Sequence, residues 1–282
     1  MDFKATVDEA KKLRLDTRNG PSASLNGQGP EQEVPGWNAP VYSKCRSVQL
    51  DPEKLRKNRC VCFFREAPEL SYYKVLRTQI VHRCKPKNWN TIMITSAVPG
   101  EGKTLTTINL AAAFARAHGC TALLVDCDLQ RQSIHRYLGI QSPKGLAEYL
   151  HNGASLNEFM IWPRVKKLTL ISGGKPVRDS SELISSPRMA ELAAEMKSRY
   201  PDRYVFFDLP PLLAEADALA FAPLADCILL VAHPRTSFKD TQRALDLIPK
   251  EKLLGFVLNR VEWSNHDYYY RYKYGYRYRK EG

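Results

Sequence analysis

Residues 91–104 read TIMITSAVPGEGKT, and the fold is decided by how they are divided. Five of the first six are apolar or β-branched, the composition of a short buried strand. The last eight, Ala97 to Thr104, read A-x-x-x-x-G-K-T. The stretch that begins at this lysine, KTLTTINLAAAFARAHG, has the composition of a helix, with Gly119 as the expected C-cap. Strand, glycine-rich loop and helix in that order form a phosphate-binding P-loop, in which backbone N–H groups at a helix N-terminus surround a phosphate. The expected nucleotide contacts are therefore Pro99, Gly100, Glu101, Gly102, Lys103, Thr104 and Leu105. Lys103 is expected to reach the β- and γ-phosphate oxygens of ATP, and the Thr104 hydroxyl to bind Mg²⁺.

Working outward, further apolar runs follow: TALLVD (121–126), KLTLIS (167–172), YVFFDL (204–209), CILLVA (227–232) and LLGFVLN (253–259). Near-continuous apolar runs suit a parallel sheet covered on both faces. Helical patterns within 187–199 and near 239–248 separate the later runs, and a further one at 66–84 places Leu70, Tyr73, either Leu76 or Arg77, and Ile80 on one face. Alternation of strand and helix predicts an α/β fold with a doubly wound, mostly parallel sheet. Residues 17–40, rich in Gly, Pro, Ser and Asn, read as a linker after a short amphipathic helix at 2–16. The expected division is a flexible N-terminal segment at 1–43, a P-loop domain at 44–262 and a tyrosine-rich tail at 263–282.

Two of the later strands end in acids. Leu123-Leu-Val-Asp-Cys-Asp128 puts two carboxylates one residue apart, and Val205-Phe-Phe-Asp208-Leu-Pro-Pro adds a third. The C-terminal ends of parallel strands line the ligand crevice, so Asp126, Asp128 and Asp208 should converge on the phosphates held by the loop. Asp208 has the position of an acid that holds Mg²⁺ directly or through water. Of Asp126 and Asp128, one can bind the metal or its waters and one can take a proton from an incoming hydroxyl.

The 282 residues carry a formal net charge of +12, placed mainly at the two ends. Residues 1–90 hold 17 Lys/Arg against 10 Asp/Glu, 91–267 hold 20 against 19, and 268–282 hold 5 against 1. Basic flanks suit an anionic membrane face, an acidic partner or nucleic acid. Seven scattered cysteines fit no usual zinc spacing, Cys60, Cys62, His82 and Cys84 included, and point to a reducing cytosol. The N-terminus lacks an apolar core, and the most apolar stretch, LAFAPLADCILLVA, is short and holds Asp226, so no membrane span is expected.

At these motifs the chain resembles the bacterial tyrosine autokinases that control capsular and extracellular polysaccharide synthesis and export. The resemblance rests on S-A-x-P-G-E-G-K-T at 96–104, on D-x-D-L followed by Arg131, on D-x-P-P from Asp208, and on the tyrosine-rich end. It extends through roughly residues 66–262. It implies the P-loop NTPase fold of MinD/ParA type and ATP- and Mg²⁺-dependent phosphorylation of the chain's own tail in trans. Lys103, Asp126 and Asp128 then carry catalysis, and Thr104, Asp126 and Asp208 hold the metal. The tyrosines at 268, 269, 270, 272, 274, 276 and 278 (Tyr268, Tyr269, Tyr270, Tyr272, Tyr274, Tyr276, Tyr278) accept phosphate. The implied partners are other copies of the chain in a ring, a membrane-spanning polysaccharide co-polymerase that activates it, and a cognate tyrosine phosphatase. The implied location is the cytoplasm, at the inner face of the plasma membrane through that partner.

Three positions depart from the family's pattern. Gln130-Arg131-Gln132 stands where Arg-Arg-Pro or Arg-Lys-Pro is usual, and Leu209 where Thr is usual. The E-x-x-R-x-x-R subunit-contact helix aligns with Ser71, Lys74 and Arg77, with Glu69 two residues early, so Lys74 and Arg77 are the expected oligomer contacts.

Two other functions compete. A positioning ATPase of the same fold carries an extra lysine near the start of its P-loop, where this chain has Val98 and Pro99. A nucleotide-gated scaffold of the polysaccharide machinery would bind ATP with little kinase activity. Tyrosines alternating with Arg and Lys can also stack on nucleic acid, but that reading leaves the P-loop and the paired acids without a role.

Overall fold

The structure, a computed structural model, describes residues 45–261 except 154, 156, 157 and 166. The N-terminal helix and linker expected from the sequence and the tyrosine tail lie outside the described residues. Eight strands form one sheet: β1 (Arg46–Ser47), β2 (Thr91–Ser96), β3 (Thr121–Asp126), β4 (Met160–Trp162), β5 (Leu168–Ile171), β6 (Arg203–Asp208), β7 (Cys227–Ala232) and β8 (Leu253–Leu258). Their order is β1-β4-β5-β3-β6-β2-β7-β8. Every pairing is parallel except β4 with β5. The chain thus follows the expected doubly wound plan, with one reversal toward the β1 edge.

Side chains alternate across the central strands as the period of two requires. Ile92 and Ile94 of β2, Leu124 of β3, Phe206 of β6 and Leu229 and Val231 of β7 enter one apolar cluster. Met93, Leu123, Val125, Val205, Phe207, Ile228 and Leu230 enter the other. The helices Leu70–Cys84 and Lys103–Ala115 contribute Leu70, Ile80, Ile108 and Phe114 to the first cluster, where Phe114 meets Phe206 with ring centroids 4.9 Å apart. The helices Pro187–Ser198 and Asp217–Phe221 contribute Met189, Leu192 and Phe221 to the second, where Phe221 lies 4.6 Å from Phe207. This two-sided burial is what the architecture rests on, because a parallel sheet has no face to spare for water.

The segment before the first long helix belongs to the same core. Leu50, Leu55, Cys60, Cys62, Phe63 and Phe64 are buried in the first cluster. Asn109, inside the P-loop helix, locks them there: its Oδ1 accepts from the Cys62 N–H at 2.9 Å and its Nδ2 donates to the Arg59 carbonyl at 3.1 Å. Asp51 caps the short helix Pro52–Lys57 by accepting from the Glu53 N–H at 2.9 Å.

One boundary differs from the sequence reading. The P-loop helix ends at Ala115, with Arg116 rather than Gly119 at the cap. The Ala117 N–H donates to the Phe114 carbonyl, tightening the last turn, and Gly119 serves the turn into β3 with φ +66°. All seven cysteines at 45, 60, 62, 84, 120, 127 and 227 are free thiols. Among the described residues no helix is long and apolar enough to cross a membrane.

Candidate active site

The ends of β2, β3 and β6 meet at one crevice, because β3 and β2 both flank β6. β2 runs into the loop Ala97–Gly102, and the helix begins at Lys103. Two glycines shape this loop, Gly100 with φ +85° and Gly102 with φ +91°. Gly102 has a second reason to be glycine: a Cβ there would lie 2.1 Å from the Asn259 amide nitrogen. That amide donates to the Glu101 carbonyl at 2.8 Å, tying the loop to the end of β8.

Glu101 points inward, not at a ligand. It is only 2 % exposed, and its Oε2 accepts from the Val98 N–H at 2.9 Å. Its Oε1 accepts from the His233 N–H at 3.0 Å and from the Thr236 hydroxyl. This carboxylate fixes the loop's curvature from within and clamps it to the segment after β7. Pro99 and Gly100 are exposed at the loop's tip, and Leu105 packs partly buried against the first cluster.

Lys103 and Thr104 turn into the acids. The Lys103 ammonium lies 2.8 Å from Asp128 Oδ2 and 3.7 Å from Asp208 Oδ2. The Thr104 hydroxyl donates to Asp208 Oδ2 at 2.6 Å. Asp126 and Asp208 are register partners on neighbouring strands, and both are fully buried. Asp126 Oδ2 accepts from the N–H groups of Ser133 and Ile134, each at 3.1 Å, while its Oδ1 is buried with no partner. Asp128 Oδ1 accepts from the Arg131 N–H at 3.0 Å.

Electrostatics follow from this crowding. Burial, and then the Asp208 carboxylate beside it, push Asp126 up to about 7. Burial likewise raises Asp208, against the pull of Lys103 and the Thr104 hydroxyl. Burial alone would lower Lys103, but Asp208, Asp128 and Asp126 outweigh it and hold the ammonium above its ordinary pKa. Two buried carboxylates facing each other, one with an orphaned oxygen, with a threonine hydroxyl between them and the loop, make a donor set that fits a hard divalent cation such as Mg²⁺. Asp128 is engaged with the lysine instead. Among the described residues no group of three or more His, Cys, Asp or Glu could hold a metal alone. Mg²⁺ takes one or two carboxylates and completes its shell with phosphate and water.

Two participants were missed in the sequence. Thr107 donates to Asp208 Oδ1 at 3.3 Å, and Ser133 Oγ lies 3.3 Å from the Thr104 hydroxyl. Thr107 was detectable from spacing, since three residues after Thr104 is the same helix face. Ser133 was detectable as a small polar residue just before the helix Ile134–Leu138.

The departures from the family's pattern have local partners. The Gln130 amide donates to Ser180 Oγ at 3.0 Å. Gln132 is buried, and a Cβ on Gly173 would meet its Cγ at 2.6 Å. Leu209 is buried in the second cluster and its N–H donates to the Ile94 carbonyl at 3.0 Å. Arg77 donates to the Ala113 carbonyl at 2.8 Å, near the C-terminus of the P-loop helix, whereas Lys74 is exposed. Cys60 and Cys62 are buried thiols pushed upward by burial, and Cys84 faces Cys227 at 3.9 Å.

Residues 92–273 match the family described as the CobQ/CobB/MinD/ParA nucleotide binding domain. The chain is 34% identical over 200 residues to the tyrosine-protein kinase YwqD of Bacillus subtilis (strain 168), covering 70% of this chain and 83% of that one. It is 27% identical over 243 residues to the tyrosine-protein kinase ptk of Acinetobacter johnsonii, covering 84% of this chain but 33% of that protein. The chain therefore spans most of one such relative and about a third of the other. Among solved structures, the chimerical protein CapA2B2 superposes with a TM-score of 0.66 at 26% identity, over 80% of this chain and 96% of that one.

Proposed function

The chain belongs to the CobQ/CobB/MinD/ParA nucleotide-binding family and, within it, to the bacterial tyrosine kinases, and from that membership we propose that it phosphorylates its own C-terminal tyrosines. The observation that carries the reading is the meeting of Lys103 and Thr104 with Asp126, Asp128 and Asp208 at one set of strand ends. A P-loop alone serves any nucleotide hydrolase. A P-loop facing three acids, one of them with an unpartnered buried oxygen, also supplies a base for a phenol. The acceptors are Tyr268 to Tyr278, presented by one copy to the site of another. The residue range 44–262 then acts as the kinase domain, 1–43 as its N-terminal segment and 263–282 as the substrate tail.

In the transfer, a tyrosine phenol oxygen bonds to the γ-phosphorus of ATP while the bond from that phosphorus to the ADP oxygen breaks. The phenol proton passes to Asp126. Lys103 follows the charge on the β- and γ-oxygens, leaving Asp128 to do so. Thr104, Asp208 and Asp126 are the residues that would hold Mg²⁺, whose charge would offset that of the phosphates. Burial of the acids keeps water from competing for the proton.

The same reading places the chain in capsular or extracellular polysaccharide synthesis and export. Its partners there are further copies of itself, with Lys74 and Arg77 at the contact, a membrane-spanning co-polymerase that activates it, and a tyrosine phosphatase that resets it. It works at the inner face of the plasma membrane through that co-polymerase.

The test is incubation with labelled ATP and Mg²⁺, followed by mapping of phosphate by peptide mass spectrometry. Lys103→Met and a chain truncated after Asp267 run alongside. Label on Tyr268–Tyr278 that disappears with Lys103→Met is expected. Free phosphate without labelled tyrosine would replace the kinase with a positioning ATPase. No label with the co-polymerase's cytoplasmic segment present would leave a nucleotide-gated scaffold.

A further inference from the structure

The segment that follows Asp128 does more than close the catalytic strand end. Gln130, Arg131, His135 and Arg136 line a cleft of about 490 Å³, completed on its far side by Gly174 and Pro176. The two walls are fastened together: the Val177 N–H donates to the Leu129 carbonyl at 3.0 Å. The cleft begins next to the catalytic acids, because the Arg131 N–H is bonded to Asp128 Oδ1 at 3.0 Å.

Its charge is basic. The Arg131 side chain is 73% exposed, and the carboxylate beside it, Glu215, is 3.9 Å away. Arg136 reaches the Gln132 carbonyl with one nitrogen of its fork. His135 contributes a ring whose Nδ1 is buried without a partner. The other carboxylate near this wall, Glu148, is already engaged, one oxygen with the Gly145 N–H at 2.7 Å and the other with the Lys175 N–H at 3.1 Å. The lining offers two guanidinium groups and a glutamine amide and no acid of its own, with the Glu215 and Glu148 carboxylates at its edges, a donor set of the kind that holds a phosphate monoester.

We propose that this cleft binds phosphotyrosine, and that its ligand is the already phosphorylated tail of another copy of the chain. Size favours an aryl phosphate over a free anion, since the cleft is far larger than a phosphate ion and Pro176 offers an apolar wall for a ring. Charge selects the modified tail. Unmodified, residues 268–282 hold five Lys/Arg against one Glu and are repelled by Arg131 and Arg136. Each phosphate adds roughly −1.5 to −2 charges, so one sets a local anion among the basic residues and about three carry the tail past neutrality. Spacing completes the argument. From Tyr270 to Tyr278 tyrosines recur at every second residue. An extended peptide advances ~3.3 Å per residue, so a phosphotyrosine in the cleft carries its neighbours past the crevice at steps of ~7 Å. The first phosphorylation therefore creates the docking group for the next, and tail phosphorylation accelerates as it proceeds.

The source of the phosphotyrosine rests on the kinase reading; the binding itself does not. It is tested on the full chain with Lys103→Met, which keeps its own tail unmodified. Fluorescence polarisation would measure binding of synthetic peptides spanning residues 266–280, unmodified or carrying phosphotyrosine at Tyr272, with inorganic phosphate and phenyl phosphate as competitors. The phosphopeptide should bind at least tenfold tighter than the unmodified one. Arg131→Ala with Arg136→Ala should remove that difference at an unchanged melting temperature. Should the double variant unfold, Arg131→Gln alone, at an exposed side chain, is expected to weaken the phosphopeptide severalfold. Equal affinity for both peptides, or affinity unaffected by Arg131, overturns the proposal. So does displacement by inorganic phosphate as readily as by phenyl phosphate, which marks an anion site only. Phosphopeptide binding by a chain that never labels its own tail would sink the kinase reading and leave the cleft standing. A labelled tail without Arg131-dependent binding would do the reverse.

Discussion

Asp126 and Asp208 sit opposite each other in register at the ends of β3 and β6, and neither carboxylate reaches solvent. Such a pair stores repulsion that the fold tolerates only for what it holds there. Burial, then Asp208, lift Asp126 to about 7, so its ionisation opposes folding. The sign follows from linkage: a carboxyl with a raised folded pKa loses stability as pH climbs from the ordinary carboxylate range toward 7. Asp126→Asn should therefore melt higher than the parent without metal, by about 2–4 °C for each kcal/mol relieved. The gain should be larger at pH 8 than at pH 5. Tyrosine phosphorylation should fall by about 10²–10⁴. Scanning fluorimetry at the two pH values, with initial rates, checks both. A variant that melts lower at pH 8 would mean that the ionised carboxylate stabilises the fold.

Mg²⁺ with nucleotide should reverse that ranking. A ligand at a hundred times its Kd stabilises by about 2.7 kcal/mol, and Asp126→Asn removes one of the proposed ligands. The parent should then gain more melting temperature from Mg-ADP than from ADP alone, and the variant should show little difference between the two. Equal metal-dependent shifts in both proteins would remove Asp126 from the metal site.

Glu101 holds two loops with one carboxylate. Glu101→Ala leaves the part-buried Val98 and His233 N–H groups without their acceptor, at a cost of up to about 1–3 kcal/mol each. Glu101→Gln keeps the shape but can accept through one oxygen only, so its loss should be smaller. Urea unfolding of the two variants tests the order, and nucleotide affinity should weaken with it as the loop loosens. An Ala variant as stable as the parent would mean that water replaces the carboxylate.

The strands TIMITS, TALLVD and CILLVA were legible because a fully buried parallel strand writes its whole length in apolar residues. Met160–Trp162 and Arg46–Ser47 were not, since two or three residues are too few to establish a period. The meeting of Lys103 and Thr104 with Asp126, Asp128 and Asp208 was legible because the sequence puts those residue types at the start of a helix and at the ends of parallel strands. Glu101 was read as part of the phosphate loop because its partners, His233 and Thr236, lie over 130 residues away. Only folding brings them together. Arg77 shows the same limit: alignment with a contact motif is silent about the Ala113 carbonyl within its reach.

Gly100 and Gly102 have nearly the same backbone angle but different surroundings. Nothing lies within 4 Å of a Cβ at Gly100, whereas one at Gly102 would meet the Asn259 amide at 2.1 Å. Gly100→Ala should cost only the left-handed strain, about 1–2 kcal/mol. Gly102→Ala must in addition break the Asn259–Glu101 tie, and should cost more stability and most nucleotide affinity. Titration with a fluorescent ATP analogue separates them. Equal losses would show that strain alone decides this loop.

Asp226 offers a stability test remote from the chemistry. Its Oδ2 accepts from the N–H groups of Asn90 at 2.9 Å and Thr91 at 3.1 Å, and its Oδ1 pairs with Lys197. Burial alone would raise its pKa, but Lys197 and the two N–H groups outweigh it and hold the carboxyl below its usual value. A depressed folded pKa contributes stability that is complete above the unfolded value, ~3.9, and is lost as pH falls through the folded one. The backbone bonds should dominate, because Lys197 is 45% exposed and such a pair is weak in water. Asp226→Asn, which can still accept through one oxygen, should therefore cost about 1–3 kcal/mol at pH 7. Lys197→Met should cost less than half of that, and raising salt should close only this smaller gap. The gap between the parent and Asp226→Asn should narrow as pH falls from 7 to 3. Urea midpoints for the three proteins at both pH values decide it: a gap of unchanged size at pH 3 would mean that shape, not charge, is what Asp226 supplies at the start of β2.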